Sequence, residues 1–145
     1  MLTLDQDFYI LATRWHLAQK QISIVRERVF IEEQGIPPHL EWESADQSAI
    51  HVVAYHHHHH PIGTGRILNS HCIGRIAVLK PWRKQSVGSA LLLALIDIGC
   101  ALGFSDIYLN AQHTVTGFYS RYGFSARGEP FLEAGILHQR MIFKF

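Results

Sequence analysis

Charge, cysteine and long apolar runs are all scarce in this sequence. Only 17% of its 145 residues are charged, and 13 Lys and Arg against 12 Asp and Glu leave a formal net charge of +1 with histidine neutral. So nearly neutral a chain has no general attraction to nucleic acid or to an anionic membrane surface. Two cysteines, Cys72 and Cys100, share no metal-type spacing and make no disulfide framework. No apolar run approaches the roughly 18 residues that span a bilayer. The N-terminal stretch MLTLDQDFYI carries early acidic residues and no basic n-region, unlike a secretory leader. A soluble, reduced, cytoplasmic protein is expected. At 48% hydrophobic, a chain of this length buries roughly 68–70% of its unfolded surface, so one domain over residues 1–145 needs no disulfide or structural metal.

Histidine, by contrast, is plentiful. Five of the 11 histidines are consecutive, in YHHHHHP from Tyr55 to Pro61. A zinc site needs about four ligands converging from different points of a fold. Neighbours in an extended segment point alternately apart, so a run of histidines seldom builds such a site alone.

The periodicity alternates between strand and helix. Phe8 to Thr13 suits a short first strand. Ala18, Ile22, Val25 and Val29 then form one apolar stripe on a helix from His16 to Gln34, stopped by Gly35 and two prolines. Pro37 to Gln47 is polar and proline-led, a loop with at most one helical turn. Ala49–Tyr55, Pro61–Leu68 and His71–Leu79 read as three strands whose short connections make them antiparallel. A helix from Arg83 to Gly103 carries Val87, Leu91, Leu95, Ile98 and Leu102 on one face. Asp106–Ala111 is a compact strand, His113–Gly123 a shorter helix, and Phe124–Glu129 and Ile136–Phe145 two closing strands. The expected fold class is α+β (α/β), with a mixed, mostly antiparallel sheet flanked by helices.

The most informative segment is IAVLKPWRKQSVGSALL. A strand ends at Leu79, Pro81 breaks it, and a turn of small residues runs straight into a long amphipathic helix. Such a helix start leaves several N–H groups unpaired and carries roughly half a positive charge. Ser86, Gly88 and Ser89 let a phosphate approach these amides, while Arg83 and Lys84 add fixed charge. The spacing alone equally suits an ordinary helix start with a basic cap. Neither the Walker loop nor the dinucleotide fingerprint is present.

This strand–turn–helix resembles the acetyl-CoA signature R/Q-x-x-G-x-G/A of the GNAT acetyltransferases, with Arg83 as its first residue and Gly88 as its second glycine. Ser86 stands where the family has the first glycine. LNAQHTVTGFYSRYGF resembles the GNAT strand and helix carrying FYxxxGF. RERVFIEEQGIP, HVVA, GTGRIL, IGRIAV and EAGILHQRM are similar to the ElaA-like subgroup, in the same order along the chain.

The resemblance implies acyl transfer from acetyl-CoA to a primary amine of a small molecule or peptide, with no metal required and a homodimer as a family-level expectation. The central sheet would splay between the strand ending at Leu79 and the strand from Asp106. Pantetheine would pair with backbone at Ile76, Ala77 and Val78, and the Val78 N–H would polarise the thioester carbonyl. Pyrophosphate would rest on amides from Gln85, Ser86, Val87, Gly88 and Ser89 beside Arg83 and Lys84. Tyr119, the tyrosine of FYxxxGF, would protonate the departing thiolate. Asn110 and Gln112 would hydrogen-bond the pantetheine amides or serve as caps. His138 and Glu33 border the acceptor side as candidate bases, with His51, His113 and Asp46 as further candidates. Arg66 and Arg75 suit either an acidic substrate group or structural ion pairs.

Two other functions fit parts of the sequence: an acyl-CoA sensor that transfers nothing, and a metal-binding protein built on the histidine run. The run falls at the turn between the second and third strands, where a hairpin needs only solvated residues. Antiparallel pairing puts that turn one strand away from the phosphate turn. Its histidines, titrating near pH 6.5, would modestly favour an anionic cofactor in acid.

Overall fold

The computed structural model describes residues 7–145. Met1 to Gln6, part of the stretch on which the absence of a leader was read, lie outside the described residues. One sheet runs through the molecule in the order β1-β2-β3-β4-β5-β8-β6, with β7 also paired to β8. Its strands are β1 (Phe8–Arg14), β2 (Ile50–His56), β3 (Pro61–Ile67), β4 (Cys72–Val78), β5 (Asp106–Gln112), β6 (Ser125–Ala126), β7 (Phe131–Glu133) and β8 (Ile136–Lys144). The three antiparallel strands β2, β3 and β4 stand as expected. Among the described residues only β4 and β5 are parallel, and helix α3 (Val87–Ala101) makes the crossover between them.

Helix α3 lies tight on β3. A Cβ on Gly63 or on Gly65 would come within 3.0 Å of Leu91 Cδ1 or Leu95 Cδ1, so glycine at both positions sets the helix–sheet distance. Val87, Leu91, Leu92 and Leu95 are fully buried with Ile62, Ile67, Ile73 and Ile107 in the larger core cluster. Ala18, Ile22, Val25 and Val29 of the first helix are also buried, as their spacing requires. That helix differs from expectation in its geometry. It is α-helical over Trp15–Arg26 (α1), with a break at Ala18, then a π-helix over Glu27–Glu33. It ends at Gly35, whose φ of +72° favours glycine.

Three further differences have local causes. Helix α3 begins at Val87 rather than Arg83, because Lys84 and Ser86 hold left-handed φ values of 62° and 67° that no α-helix accommodates. His113–Gly123 contains a short 3₁₀ turn and then α4 (Thr116–Ser120). Of Phe124–Glu129 only Ser125 and Ala126 pair, while Phe131–Glu133 forms an unexpected strand folded back on β8. Its two-residue turn, Ala134–Gly135, has both φ values positive, a hairpin geometry hidden by alanine at its first position.

The segment Pro37–Gln47 is more than a polar loop. It holds α2 (Pro38–Glu41) and a 3₁₀ turn, Ser44–Gln47, clamped to the sheet by buried charges. Arg26 Nε donates to Glu41 Oε2 at 2.8 Å and Nη1 to Asp46 Oδ1 at 2.7 Å. Arg66 of β3 donates to the same Asp46 oxygen at 2.5 Å and also pairs with Glu43. Arg75 of β4 reaches Glu41 at 3.2 Å. Trp42 and Trp15 cover the Arg26 guanidinium at 5.0 and 5.9 Å. Of the two roles open to Arg66 and Arg75, the structural ion pair is the one observed.

Candidate active site

The sheet opens at β4 and β5. Their parallel pairing comprises only Cys72↔Tyr108 and Ile73↔Leu109. The cause is a bulge: Thr64 faces Ala77 and Arg66 faces Gly74, so Arg75 and Ile76 together oppose Gly65. Arg75 takes φ 52°, and a bulged strand bends away from its neighbour. From Gly74 to Val78 the β5-facing edge of β4 therefore has no strand partner among the described residues. Leu79 N donates to Ile62 O across β3, so the alternation of the strand turns the Val78 N–H toward the gap. The splay expected between these strands is present.

At the end of β4 the chain makes a 3₁₀ turn (Lys80–Trp82) and enters α3. The first bond of the helix runs from Ala90 N to Ser86 O. The N–H groups of Val87, Gly88 and Ser89 precede it and lack helical partners, and no side chain caps them. Gln85 Nε2 donates to Pro81 O at 2.9 Å, bracing the turn. The left-handed backbone at Lys84 and Ser86 helps the amides converge, a nest geometry that suits an anion. Ser86 thus holds the conformation a glycine would hold, at a steric cost. Ser86→Gly should relieve that cost and, after the added unfolded-state entropy of glycine, stabilise the protein by about 1 kcal/mol. Urea unfolding would show the higher midpoint; a lower one would mean the serine is not strained.

Arg83 is engaged on both sides. Its Nε donates to Val78 O at 2.9 Å, and its two terminal nitrogens hold Glu33 at 2.6 and 2.8 Å. The Arg83 hydrogen bond keeps the Glu33 carboxylate below its ordinary pKa. Glu33, a candidate base from sequence, is therefore a weak proton acceptor here and ties the π-helix to the turn before α3.

Helix α4 meets the same corner. A Cβ on Gly88 would lie 3.9 Å from Phe118 Cζ and from Val78 Cγ2, so α4, the turn and the end of β4 converge there. Tyr119 packs edge-on against Phe118 and Phe124, at 5.1 and 6.1 Å between ring centres. Burial alone pushes its phenol up to about 12. The proton stays on Tyr119 throughout the physiological range.

On the other side of β5, Gln112 faces His138 of β8 and donates to Gln34 Oε1 at 3.0 Å. The gap is thereby bordered by the end of the first helix, a contact sequence reasoning missed because Gln34 carries no motif. His138 is buried under Phe131, with Nδ1 2.7 Å from Ile136 O. A carbonyl only accepts, so Nδ1 carries the proton and Nε2 is left basic. Asn110 accepts from Arg140 Nε at 3.2 Å. The remaining candidates lie elsewhere. His51 is buried against Trp15 with Nε2 on Asp46 O, and burial lowers its pKa. Asp46 belongs to the arginine cluster, and His113 is exposed on the 3₁₀ turn after β5. Among the described residues no three His, Cys, Asp or Glu side chains are grouped to hold a metal ion, and no helix is long and apolar enough to cross a membrane.

A parallel strand pair opened by a bulge, next to a helix start with free amides, defines an acyltransferase of the GNAT type. Comparison with known proteins agrees. The family described as acetyltransferase (GNAT) domain matches residues 17–145, and the chain belongs to that family. It is 35% identical over 127 residues to the uncharacterized N-acetyltransferase YjcF of Bacillus subtilis, covering 85% of this chain and 90% of that one. Escherichia coli ElaA shares the fold with a TM-score of 0.84 at 22% identity, over 94% of this chain and 99% of the other. A GNAT family acetyltransferase from Elizabethkingia anophelis, solved with acetyl-CoA bound, matches with a TM-score of 0.67 at 16% identity, over 97% and 100% of the two chains.

Proposed function

We propose that this protein transfers an acetyl group from acetyl-CoA to a primary amine of a small molecule or peptide by direct attack. The observation that carries the reading is the unpaired edge of β4, which opens onto the phosphate turn and the helix bearing Tyr119. Acetyl-CoA in the E. anophelis relative supports the choice of donor. Pantetheine adds to β4 along Ile76, Ala77 and Val78, and the pyrophosphate rests on the amides of Gln85 to Ser89 with Lys84 and Arg83 alongside. Asn110 and Gln112 face the pantetheine amides.

The amine nitrogen attacks the thioester carbon while the Val78 N–H holds the developing oxyanion. One such donor is worth about 2.7–4 kcal/mol of barrier. His138 Nε2, directly or through a water, takes the proton the amine must lose. The C–S bond breaks, and Tyr119 gives its proton to the thiolate and is reprotonated from solvent. Against a thiol of pKa about 8.5 in water, a phenol near 12 makes full transfer about 5 kcal/mol uphill. The same apolar surroundings raise the thiol, which narrows the difference. Before transfer, the neutral phenol already stabilises the leaving sulfur by hydrogen bonding.

Gly88→Ala separates binding from folding. In the free protein the new methyl meets Phe118 and Val78 only at ordinary contact distance, and alanine favours a helix. Stability should hold or rise slightly, while acetyl-CoA affinity, measured by calorimetry, falls on the order of tenfold because the methyl stands where the pyrophosphate approaches. Unchanged affinity would remove the pyrophosphate from this turn.

A further inference from the structure

The β7–β8 hairpin brings two hydrogen-bond acceptors together with no donor between them. Its two-residue turn sets Phe131 opposite His138 and Glu133 opposite Ile136. Side chains alternate along a strand, so Phe131, Glu133, Ile136 and His138 share one face, while Leu132 and Leu137 share the other. Glu133 is thus the diagonal neighbour of His138, and its Oε2 lies 3.9 Å from His138 Nε2. That is too long for a hydrogen bond. Because Nδ1 donates to Ile136 O, Nε2 of the neutral ring is an acceptor, beside a carboxylate that also only accepts.

Both atoms are within reach of a ligand. The His138 side chain is 9% exposed, but among the described residues the buried side-chain atoms without a partner are Arg66 Nε and Arg75 Nε, not His138 Nε2. Nε2 is therefore the open tip of a buried ring. About half of the Glu133 side chain is exposed, and among the described residues no Lys or Arg pairs with it. Arg140, two residues beyond His138, is turned to β5: its guanidinium lies 4.7 Å from the Tyr108 ring centre and donates to Asn110. Phe131, stacked 5.9 Å from the His138 ring, adds an apolar wall. His138 stands opposite Gln112 of β5, which donates to Gln34 at the end of the first helix, so the pair borders the acceptor side of the gap.

We infer that Glu133 and His138 form the seat of the acceptor's ammonium group, Glu133 holding the cation that His138 deprotonates. The inference rests on the proposed transfer and names the form in which its acceptor arrives. A primary alkylamine is an ammonium at neutral pH, its pKa close to the value of about 10.4 for a lysine. A nitrogen about 2.8 Å from both atoms, the length of a charge-assisted hydrogen bond, sees them about 90° apart, near the angle between two of its N–H bonds. One N–H points to the carboxylate and another to Nε2. Nε2 takes that proton, and the neutral amine attacks the thioester carbon. The imidazolium, stabilised by Glu133, then releases the proton to solvent. The seat selects a nitrogen that is both charged and able to donate.

The ring resonances of His138, followed by NMR in the protein without donor, test it independently of turnover. Propylammonium should shift them saturably. Propanol, its neutral isostere, and tetramethylammonium, a cation without N–H, should not at the same concentration. Glu133→Gln should weaken propylammonium about tenfold. Glu129→Gln removes an exposed carboxylate four residues away and should leave the affinity unchanged. Resonances far from the hairpin should match the wild type in both variants, which excludes a folding defect. No shift with propylammonium, equal shifts with propanol or tetramethylammonium, or an affinity untouched in Glu133→Gln overturns the seat while leaving the transferase reading intact. On a confirmed acceptor, Glu133→Gln should raise the acceptor KM about tenfold and leave the acetyl-CoA KM as it was; an unchanged acceptor KM equally overturns the seat. Propylammonium binding as described, with no thiol release from any amine, instead overturns the proposed function and leaves the ammonium seat standing.

Discussion

Asp46→Asn should cost about 3–5 kcal/mol of folding stability, the usual penalty for removing one partner from a buried charge cluster. Asp46 is 1% exposed and neutralises both Arg26 and Arg66, so the amide would leave two guanidiniums short of a counter-charge. A domain of ordinary stability, about 5–15 kcal/mol, would lose a large part of it. Glu43→Gln is the control: its carboxylate is half-exposed, and a loss within about 1 kcal/mol is expected. Urea unfolding at pH 7 measures both. The deficit should also depend on pH. Burial pushes the Asp46 pKa up, but Arg26 and Arg66 outweigh it and leave it below its ordinary value. A depressed carboxylate contributes stability above its unfolded pKa of about 3.9 and loses it as pH falls through the folded value. The gap between Asp46→Asn and wild type should therefore narrow below about pH 4. Glu41, whose pKa burial raises against the pull of Arg75 and Arg26, contributes with the opposite sign, and because it shares Arg26 with Asp46 its contribution differs between the two proteins.

Tyr119→Phe should lower kcat by about 10²–10⁴ on any confirmed acceptor, with the KM for acetyl-CoA little changed. The ring and its packing on Phe118 and Phe124 survive the substitution, so the lost hydroxyl is the only chemical change. Because burial pushes this phenol to about 12, its ionisation should not shape the rate below about pH 10. A basic limb at pH 8–9 would belong to another group. Full activity in the phenylalanine variant, with chemistry limiting the rate, would remove Tyr119 from proton transfer.

Much of this architecture was legible in the sequence because it depends on local chemistry. The stripe Ala18–Ile22–Val25–Val29, the strand–turn–helix at Leu79–Val87 and the antiparallel trio β2, β3 and β4 all declare themselves through periodicity and turn residues. What stayed hidden depends on tertiary partners. Nothing in the polarity of PPHLEWESADQ separates a solvated loop from the clamped segment Pro37–Gln47, whose Glu41 and Asp46 acquire meaning only when Arg26, Arg66 and Arg75 converge on them. Glu33 looked available as a base because its partner, Arg83, lies 50 residues away. The π-helix at Glu27–Glu33 carries the same apolar spacing as an α-helix. The bulge at Arg75 has no glycine at its left-handed residue to announce it. His138 owes its basic Nε2 to a carbonyl two residues earlier, a contact fixed by strand geometry rather than by residue type.

The most direct test of the central reading is the release of free thiol from acetyl-CoA in the presence of a mixed panel of primary amines. Thiol release that requires both the protein and an amine, and that collapses in Tyr119→Phe, is the predicted result. Tight acetyl-CoA binding with no thiol release across the panel would contradict it and make the open edge of β4 the seat of a sensor rather than of a transferase.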